Sequence, residues 1–151
     1  MLDTTGMTLT EAVAAIIKDE PDLTANLANV SALINMYTLR INWAGFYLFD
    51  GKELVLGPFQ GKPACIRIPL GKGVCGAAAE RRETILVDDV ELFPGHIACD
   101  SASRSEIVVP IIKNGVLIGV LDIDSPEPAR FSAEDKEVFE RIAGIIVENM
   151  I

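Results

Sequence analysis

The sequence has little positive charge and no long hydrophobic run. Its 151 residues include 13 Lys and Arg against 22 Asp and Glu, which gives a formal net charge of −9. A chain this acidic is poorly suited to bind the phosphates of nucleic acids or of anionic lipids. The apolar runs at 107–112 and 116–121 are far shorter than the roughly 18 residues of a membrane-spanning helix. We therefore expect a protein that binds neither nucleic acid nor membrane.

The sequence also shows no linker and no internal repeat, and we expect no targeting segment. Residues 1–11 contain no basic segment followed by an apolar one, so the sequence predicts no secretory signal and a cytoplasmic protein. The length is typical of one domain, which we expect to span residues 1–151. Half of the residues are hydrophobic, which is enough for a full core and too many for a disordered protein.

Cysteine and histidine are scarce, with three Cys and one His in the chain. An odd number of cysteines is a poor basis for a disulfide framework, so the alternatives are buried inert thiols, metal ligands or redox chemistry. A structural zinc site needs four ligands, which Cys65, Cys75, Cys99 and His96 could supply. Their spacing matches no common zinc pattern, and we expect no metal.

What the sequence does contain is a clear alternation of helical and strand patterns. Thr8 and Glu11 have the spacing of a capping box before the first helix, and Ser132 and Asp135 have it before the last. Residues 88–104 show no periodicity, and a loop this long is usually functional. The predicted helices are 9–19, 23–37, 74–82 and 133–149, and the predicted strands are 41–49, 53–59, 65–70, 84–87, 106–112 and 115–124.

Two pairs of residues predict tight hairpins. Asp50 with Gly51 and Asn114 with Gly115 are both typical of type I′ turns between strands. Strands joined in this way form a mostly antiparallel sheet. We therefore predict an α+β fold with five or six strands, in which the N- and C-terminal helices pack on one face.

Three carboxylates are expected to cluster at one end of the second hairpin. Side chains alternate along a strand, so Asp122 and Asp124 point the same way. Counting back from the turn places the partner of Glu106 near position 123, beside both, with a register that depends on whether a bulge intervenes in the strand. Like charges repel unless a cation lies between them, and that cation could be a metal, an Arg or the ammonium of a ligand. Alternatively, the two aspartates only begin a solvated turn.

The aromatic and cysteine side chains also allow two interpretations. Trp43 and Tyr47 share one strand face and are either core residues or an apolar wall against a ligand, for which Gly45 would leave room.

Cys75 lies near a helix start, where N–H groups and the helix dipole would lower its pKa. Cys99 lies in the long loop three residues after His96, which is either structural or a helper, and Cys65 begins a strand. The three cysteines are either buried structural thiols or redox groups.

Five segments closely resemble the free methionine-R-sulfoxide reductases, a group of small GAF-domain enzymes, and the resemblance extends over roughly residues 8–150. They are NWAGFYL (42–48), GPFQGKPAC (57–65), IPLGKGVCG (68–76), GHIACDSASRSEIVVP (95–110) and IGVLDIDS (118–125). The resemblance implies a GAF-like fold and the reduction of free L-methionine-(R)-sulfoxide to methionine. It implies no cofactor, and thioredoxin as the reductant that restores the enzyme.

The resemblance also implies roles for the three cysteines. Cys99 would attack the sulfoxide and become a sulfenic acid, and Cys65 would be the main resolving thiol that condenses with it to a disulfide. Cys75 would be an auxiliary thiol or a second resolver. Local electrostatics alone would instead favour Cys75 as the most reactive thiolate.

The other site residues would hold the substrate. Glu106, Asp122 and Asp124 would surround its ammonium, and one of them, kept protonated by its neighbours, would be the acid for the sulfoxide oxygen. Trp43 and Tyr47 would hold the S-methyl group and the methylenes.

Two other functions remain open from the sequence: a GAF module that binds a small molecule without catalysis, and a cysteine redox sensor. The apolar terminal helices also allow a homodimer.

Overall fold

The elements of the fold follow the order predicted from the sequence, with one added 3₁₀ turn. The structure is a computed structural model that describes residues 2–97, 99 and 102–150. In chain order the elements are α1 (Leu9–Ile17), α2 (Leu23–Tyr37), β1 (Trp43–Phe49), β2 (Glu53–Gly61), β3 (Arg67–Pro69), α3 (Gly73–Arg81), β4 (Ile85–Val87), the 3₁₀ turn (Val90–Leu92), β5 (Ser105–Lys113), β6 (Val116–Ser125) and α4 (Ala133–Asn149).

The strands form one six-stranded sheet in the order β3-β2-β1-β6-β5-β4. Each neighbouring pair is antiparallel, so the α+β fold with a mostly antiparallel sheet is confirmed. β1 and β6, the first and last strands in sequence, are neighbours at the centre of the sheet. Their pairing brings the aromatic segment of β1 beside the acidic end of β6.

The two faces of the sheet are covered by different helices. The core on one face contains residues of α1, α2 and α4 together with Phe46 and Ile123 of the central strands. On the other face Ala78 of α3 packs in a second core with Val108 and Val120. The prediction that the N- and C-terminal helices share a face is confirmed. None of the described helices combines the length and the apolar character needed to cross a bilayer.

The helix starts agree with the sequence better than the helix ends. Both predicted capping boxes are present, at Thr8 with Glu11 and at Ser132 with Asp135. The first helix ends two residues earlier than predicted, since Asp19 adopts a φ of +62° that cannot continue an α-helix. Hydrogen bonds between side chains and the nearby backbone are therefore a good guide to where these helices begin.

Only one of the two predicted type I′ turns is present. Asn114 and Gly115 have φ of +50° and +79°, as a type I′ turn requires. At the other hairpin only Gly51 has a positive φ, of +99°, so the predicted turn type is wrong. Instead, the Asp50 carboxylate accepts hydrogen bonds from the N–H groups two and three residues further on, both at 2.9 Å. The aspartate side chain stabilises a different turn.

A β-bulge sets the register at the acidic end of the second hairpin. The pairing of β5 with β6 shifts by one residue between Ile111 and Ile112, and Glu106 therefore lies opposite Asp124. The sequence-based count placed its partner near position 123, one residue from the observed one. A register with Glu106 directly opposite position 123 would turn it away from Asp122 and Asp124, because opposite residues point to the same face. The bulge places all three carboxyl groups on one face.

Candidate active site

A cavity with a volume of about 40 Å³ lies on the α3 side of the sheet. It is bounded by the central strands, the start of α3 and the loops that carry Cys65 and Cys99. Seven of the eight site residues named from the sequence line it, namely Trp43, Tyr47, Cys75, Cys99, Glu106, Asp122 and Asp124. His96 lines it as well.

The eighth residue, Cys65, is reached through a disulfide. Cys65 and Cys99 are bonded to each other, and their Cα atoms are 5.4 Å apart. β3 begins at Arg67, so Cys65 lies in the loop before this strand. The sequence had predicted Cys65 as the first residue of the strand, and that prediction is wrong. The two loops are thus close enough for these cysteines to interconvert between two thiols and a disulfide at the edge of the cavity.

Cys75 is a buried thiol hydrogen-bonded to the acidic cluster. It lies in the first turn of α3, is 4% exposed, and its Sγ donates to Glu106 Oε2 at 3.9 Å. Burial raises the pKa of Cys75 well above its usual value, and the negative charges of Asp122 and Glu106 raise it further. The expectation of a lowered pKa at this helix start is therefore wrong. Loss of water and nearby carboxylates outweigh the helix dipole.

The three carboxyl groups face the cavity from two neighbouring strands. Glu106 of β5 and Asp122 and Asp124 of β6 are 8%, 5% and 9% exposed. The cluster expected from the sequence is present, although through the bulged register described above. Carboxyl groups this deeply buried need a compensating cation or a shared proton.

Burial and mutual repulsion decide where the protons of this cluster lie. Burial raises the pKa of Glu106 well above its usual value, and the charges of Asp122 and Asp124 raise it further. Burial also raises the pKa of Asp122, but hydrogen bonds from Glu106 and Cys75 oppose that rise. Of these two groups, Glu106 therefore favours its protonated form more strongly. Asp122 Oδ1 is buried without a hydrogen-bond partner, as expected of an acceptor that awaits a donor from a ligand.

Trp43 and Tyr47 form an aromatic wall, and their polar atoms bind the backbone of a loop. Their ring centroids are 6.0 Å apart. The Trp43 Nε1–H donates to the Lys62 carbonyl at 3.1 Å, and the Tyr47 hydroxyl donates to the Cys65 carbonyl at 2.8 Å. Both residues are 2% exposed. They are thus core residues and cavity wall at once, so the two interpretations of the sequence were not exclusive.

Gly45 serves a different purpose from the one predicted. The sequence suggested that it leaves room for a ligand between the two aromatic side chains. A Cβ at this position would lie 2.2 Å from Phe59 Cβ, and the Phe59 ring stacks on Trp43 with centroids 5.1 Å apart. The missing side chain therefore makes room for Phe59, and the prediction of ligand room is wrong.

Sequence reasoning missed two polar residues of the cavity wall. Lys72 lies before α3 and lines the cavity, as does Ser103, whose Oγ accepts a hydrogen bond from Asn42 Nδ2 at 3.1 Å. The Gly-Lys-Gly sequence before Cys75 was an available signal for Lys72, since it places a cation beside a helix N-terminus. Ser103 has no comparable signal, because its position depends on the path of the long loop.

One group of three side chains in the described part of the chain has spacing that suits a metal. The Sγ of Cys75 and one oxygen each of Glu106 and Asp122 lie within 4.8 Å of one another. Metal ligands must be deprotonated, whereas burial raises the pKa of Cys75 and that of Glu106. This cluster is better suited to an organic ammonium, which can share its protons with neutral and charged acceptors.

Comparison with known proteins establishes the family. A family model described as GAF domain matches residues 29–150. The Escherichia coli (strain K12) protein named free methionine-R-sulfoxide reductase is 54% identical over 123 residues, which cover 82% of this chain and 74% of that protein. The chain belongs to the free methionine-R-sulfoxide reductase family of GAF domains. The resemblance seen in the sequence is confirmed.

Solved structures of the reductase family have the same fold. The structure of fRMsr of Staphylococcus aureus in complex with substrate matches with a TM-score of 0.91 at 53% identity, over 95% of this chain and 94% of that chain. The free methionine-R-sulfoxide reductase from Neisseria meningitidis, also in complex with its substrate, matches with a TM-score of 0.91 at 43% identity, over 99% and 91% of the two chains.

Proposed function

We propose that this protein reduces free methionine-R-sulfoxide to methionine, with Cys99 as the attacking thiol and Cys65 as the resolving thiol. The observation that carries this proposal is the position of the Cys65–Cys99 pair at a cavity whose wall holds three buried carboxyl groups. Membership of the reductase family supports the choice of substrate, since relatives carry this name and two solved relatives hold their substrate.

The substrate is a zwitterion, and both of its charges have counterparts in the wall. Its ammonium satisfies the unpartnered Oδ1 of Asp122 and reduces the repulsion among the carboxyl groups. Its carboxylate lies toward Lys72 and the N-terminus of α3. Trp43 and Tyr47 contact the S-methyl group and the methylenes. A peptide-bound sulfoxide has no ammonium to offer, so the site selects the free amino acid.

The first chemical step transfers oxygen from the substrate to Cys99. The Cys99 thiolate attacks the sulfoxide sulfur while Glu106, whose pKa burial raises, protonates the sulfoxide oxygen. In the adduct that forms, the substrate sulfur carries both the Cys99 Sγ and a hydroxyl group. The hydroxyl then moves to Cys99 Sγ while the S–O and S–S bonds of the adduct break, so that methionine is released and Cys99 becomes a sulfenic acid. The proton that Cys99 lost when it ionised replaces the one that Glu106 donated. In total, a thiol and a sulfoxide give a sulfenic acid and a thioether.

The second step joins Cys99 to Cys65. The Cys65 thiol attacks the sulfenic sulfur, a disulfide forms, and the hydroxyl leaves as water. The bond between these two residues in the structure supports this assignment. Cys75 is the free thiol of the three, and its burial and hydrogen bond to Glu106 favour an auxiliary role over that of a second resolver.

The third step needs an external dithiol, and thioredoxin is the one we propose. It becomes oxidised as Cys65 and Cys99 return to thiols. A cytoplasmic location, where thioredoxin keeps thiols reduced, fits this cycle. A homodimer through the terminal helices stays a prediction.

The test is an assay with purified protein, dithiothreitol and each diastereomer of free methionine sulfoxide, in which released methionine is quantified. We expect turnover of the R form only. Cys99→Ser should abolish it, whereas Cys75→Ser should still form the Cys65–Cys99 disulfide after one turnover, as seen by mass spectrometry. Turnover of the S form, or of neither form, would defeat the proposal. A redox sensor would form the disulfide with peroxide and release no methionine, so the same assay separates the two functions.

A further inference from the structure

The loop that carries Cys65 is held by side chains of β1. The Tyr47 hydroxyl donates to the carbonyl of Cys65 itself at 2.8 Å. The Trp43 indole N–H donates to the carbonyl of Lys62, three residues earlier, at 3.1 Å. The two aromatic residues that face the cavity therefore also fix the backbone on which one of the two bonded sulfurs is carried.

The chain on the other side of Cys65 is fixed as well. The N–H of Leu56 in β2 donates to the carbonyl of Ile66 at 2.8 Å, which extends the pairing toward β3. Cys65 thus lies between two backbone attachments, and a third acts on its own carbonyl. The attachments from Trp43 and Tyr47 both come from side chains in the cavity wall, and the one from Tyr47 acts on Cys65 itself and can be removed without changing the backbone.

The Tyr47 hydroxyl is well suited to remain a donor. The residue is 2% exposed, and its ring stacks against Trp43. Burial raises the pKa of Tyr47 far above its usual value, and the charges of Asp122 and its neighbours raise it further. The phenol therefore keeps its proton at every pH at which the protein works, and its direction is fixed by packing.

We infer that the Tyr47 hydroxyl is a positioning group for the resolving thiol. By holding the Cys65 carbonyl it keeps the Cys65 sulfur where a sulfenic acid on Cys99 can be attacked. This inference rests on the proposed function, and it separates two roles of one residue. The ring contacts the substrate, whereas the hydroxyl accelerates the step in which the disulfide forms and water leaves.

The physical reason is preorganisation. Two thiols on loops react quickly only when their sulfurs already lie within reach, because each degree of freedom that must be frozen slows the reaction. A sulfenic acid that waits can also be oxidised further to forms that thiols do not reduce. A fixed Cys65 shortens that wait. Loss of a single buried hydrogen bond corresponds to a change of about five- to tenfold in rate.

The test compares Tyr47→Phe with Tyr37→Phe in a single turnover. Tyr37, in α2, also donates its hydroxyl to a backbone carbonyl, that of Thr4 at 3.2 Å, and is therefore a matched control away from the cavity. Reduced protein is mixed with the R-sulfoxide without external reductant. Methionine release reports oxygen transfer, dimedone trapping reports the sulfenic acid, and alkylation with mass spectrometry reports the Cys65–Cys99 disulfide.

For Tyr47→Phe we expect disulfide formation to slow about five- to tenfold more than methionine release does, and the dimedone adduct to increase. Tyr37→Phe should alter none of these. The inference is wrong if Tyr47→Phe forms the disulfide at the wild-type rate, or if it slows methionine release and disulfide formation equally.

Two further arms keep the inference testable. If the wild-type protein releases no methionine, the proposed function fails, and hydrogen peroxide replaces the sulfoxide as the oxidant that forms the sulfenic acid. The rate of disulfide formation in Tyr47→Phe then decides the inference alone. If Tyr47→Phe does not fold, as judged by thermal melting, Trp43→Phe removes the donor to Lys62. It should slow disulfide formation in the same way, and an unchanged rate would overturn the inference.

Discussion

Glu106 shows how strongly the surroundings of one residue decide its chemistry. In water it would be ionised at neutral pH, but burial among two aspartates raises its pKa well above the usual value. Its hydrogen bond helps Asp122 to carry the negative charge of the cluster. One proton donor and one anionic acceptor are what the proposed mechanism needs to protonate a sulfoxide oxygen and to bind an ammonium.

We predict that Glu106→Gln lowers the rate of methionine formation by about 10²–10⁴, the range of a lost general acid. In the proposed mechanism Glu106 acts in its protonated form, so wild-type activity should fall as the pH rises through its raised pKa. Glu106→Asp should keep such a decline, whereas the residual activity of Glu106→Gln should lack it. The measurement is methionine release across a pH series. Glu91→Gln, at an exposed position, is the control, and a Gln variant with wild-type activity would exclude Glu106 as the acid.

At the same scale, the residues that meet at the cavity could be named from the sequence, but their chemical surroundings could not. Cys75 looked like an activated thiolate beside a helix start, and the structure buries it against carboxylates that raise its pKa. Gly45 looked like room for a ligand, and the space is taken by Phe59. In both cases the deciding neighbours are distant in sequence.

At the scale of elements, the hairpin between β5 and β6 depends on its turn and on its bulge. The turn has two residues with positive φ, at Asn114 and Gly115, and a Cβ on Gly115 would meet nothing within 4 Å. Any cost of adding one is therefore backbone strain alone. The turn closes the hairpin, and the bulge in β6, opposite Ile111 and Ile112, shifts the register by one residue so that Glu106 faces the cavity.

We predict that Gly115→Ala lowers the free energy of unfolding by about 1–2 kcal/mol, because a Cβ is unfavourable in the left-handed region. Gly144 in α4 is the matched control, since nothing lies within 4 Å of an added Cβ there and its φ is not positive. Gly144→Ala should raise the free energy of unfolding by about 0.5–1 kcal/mol. Urea denaturation followed by circular dichroism measures both. Equal effects of the two substitutions would contradict the assignment of strain to the turn.

The elements themselves were largely readable from local patterns. Capping boxes located the starts of α1 and α4, and alternation located the strands. Two local patterns were misleading. The Asp50 side chain stabilises a turn of another type than the one predicted, and the bulge in β6 shifts the pairing of β6 with β5 by one residue. A bulge leaves little local signal, because it is a feature of the pairing between two strands and not of the pattern within one strand.

At the scale of the whole molecule, the sheet order assembles the site from distant segments. Pairing of β1 with β6 sets Trp43 opposite Asp124 and Gly45 opposite Asp122. The disulfide then joins two loops whose cysteines are 34 residues apart in sequence. Closing so long a segment restricts the unfolded chain, so the oxidation state of the pair should change the stability of the entire fold.

We predict that the oxidised protein is more stable than the reduced protein by about 2–4 kcal/mol, as expected for a loop of this length. Guanidinium unfolding with and without dithiothreitol measures the difference. Cys65→Ser cannot form the bond and should unfold at the same denaturant concentration under both conditions. If the wild-type protein unfolds at the same guanidinium concentration with and without the Cys65–Cys99 disulfide, the disulfide does not constrain the unfolded state.

The sequence by itself determined the α+β class, the order and approximate bounds of the elements, and the family, because periodicity, caps and short motifs are local properties. It also named the eight residues gathered around the cavity. Only the tertiary structure decided that the bulge turns Glu106 toward Asp122 and that Tyr47 holds the backbone of Cys65. Burial, charge repulsion and hydrogen bonds between distant segments depend on distances that exist only after the chain has folded.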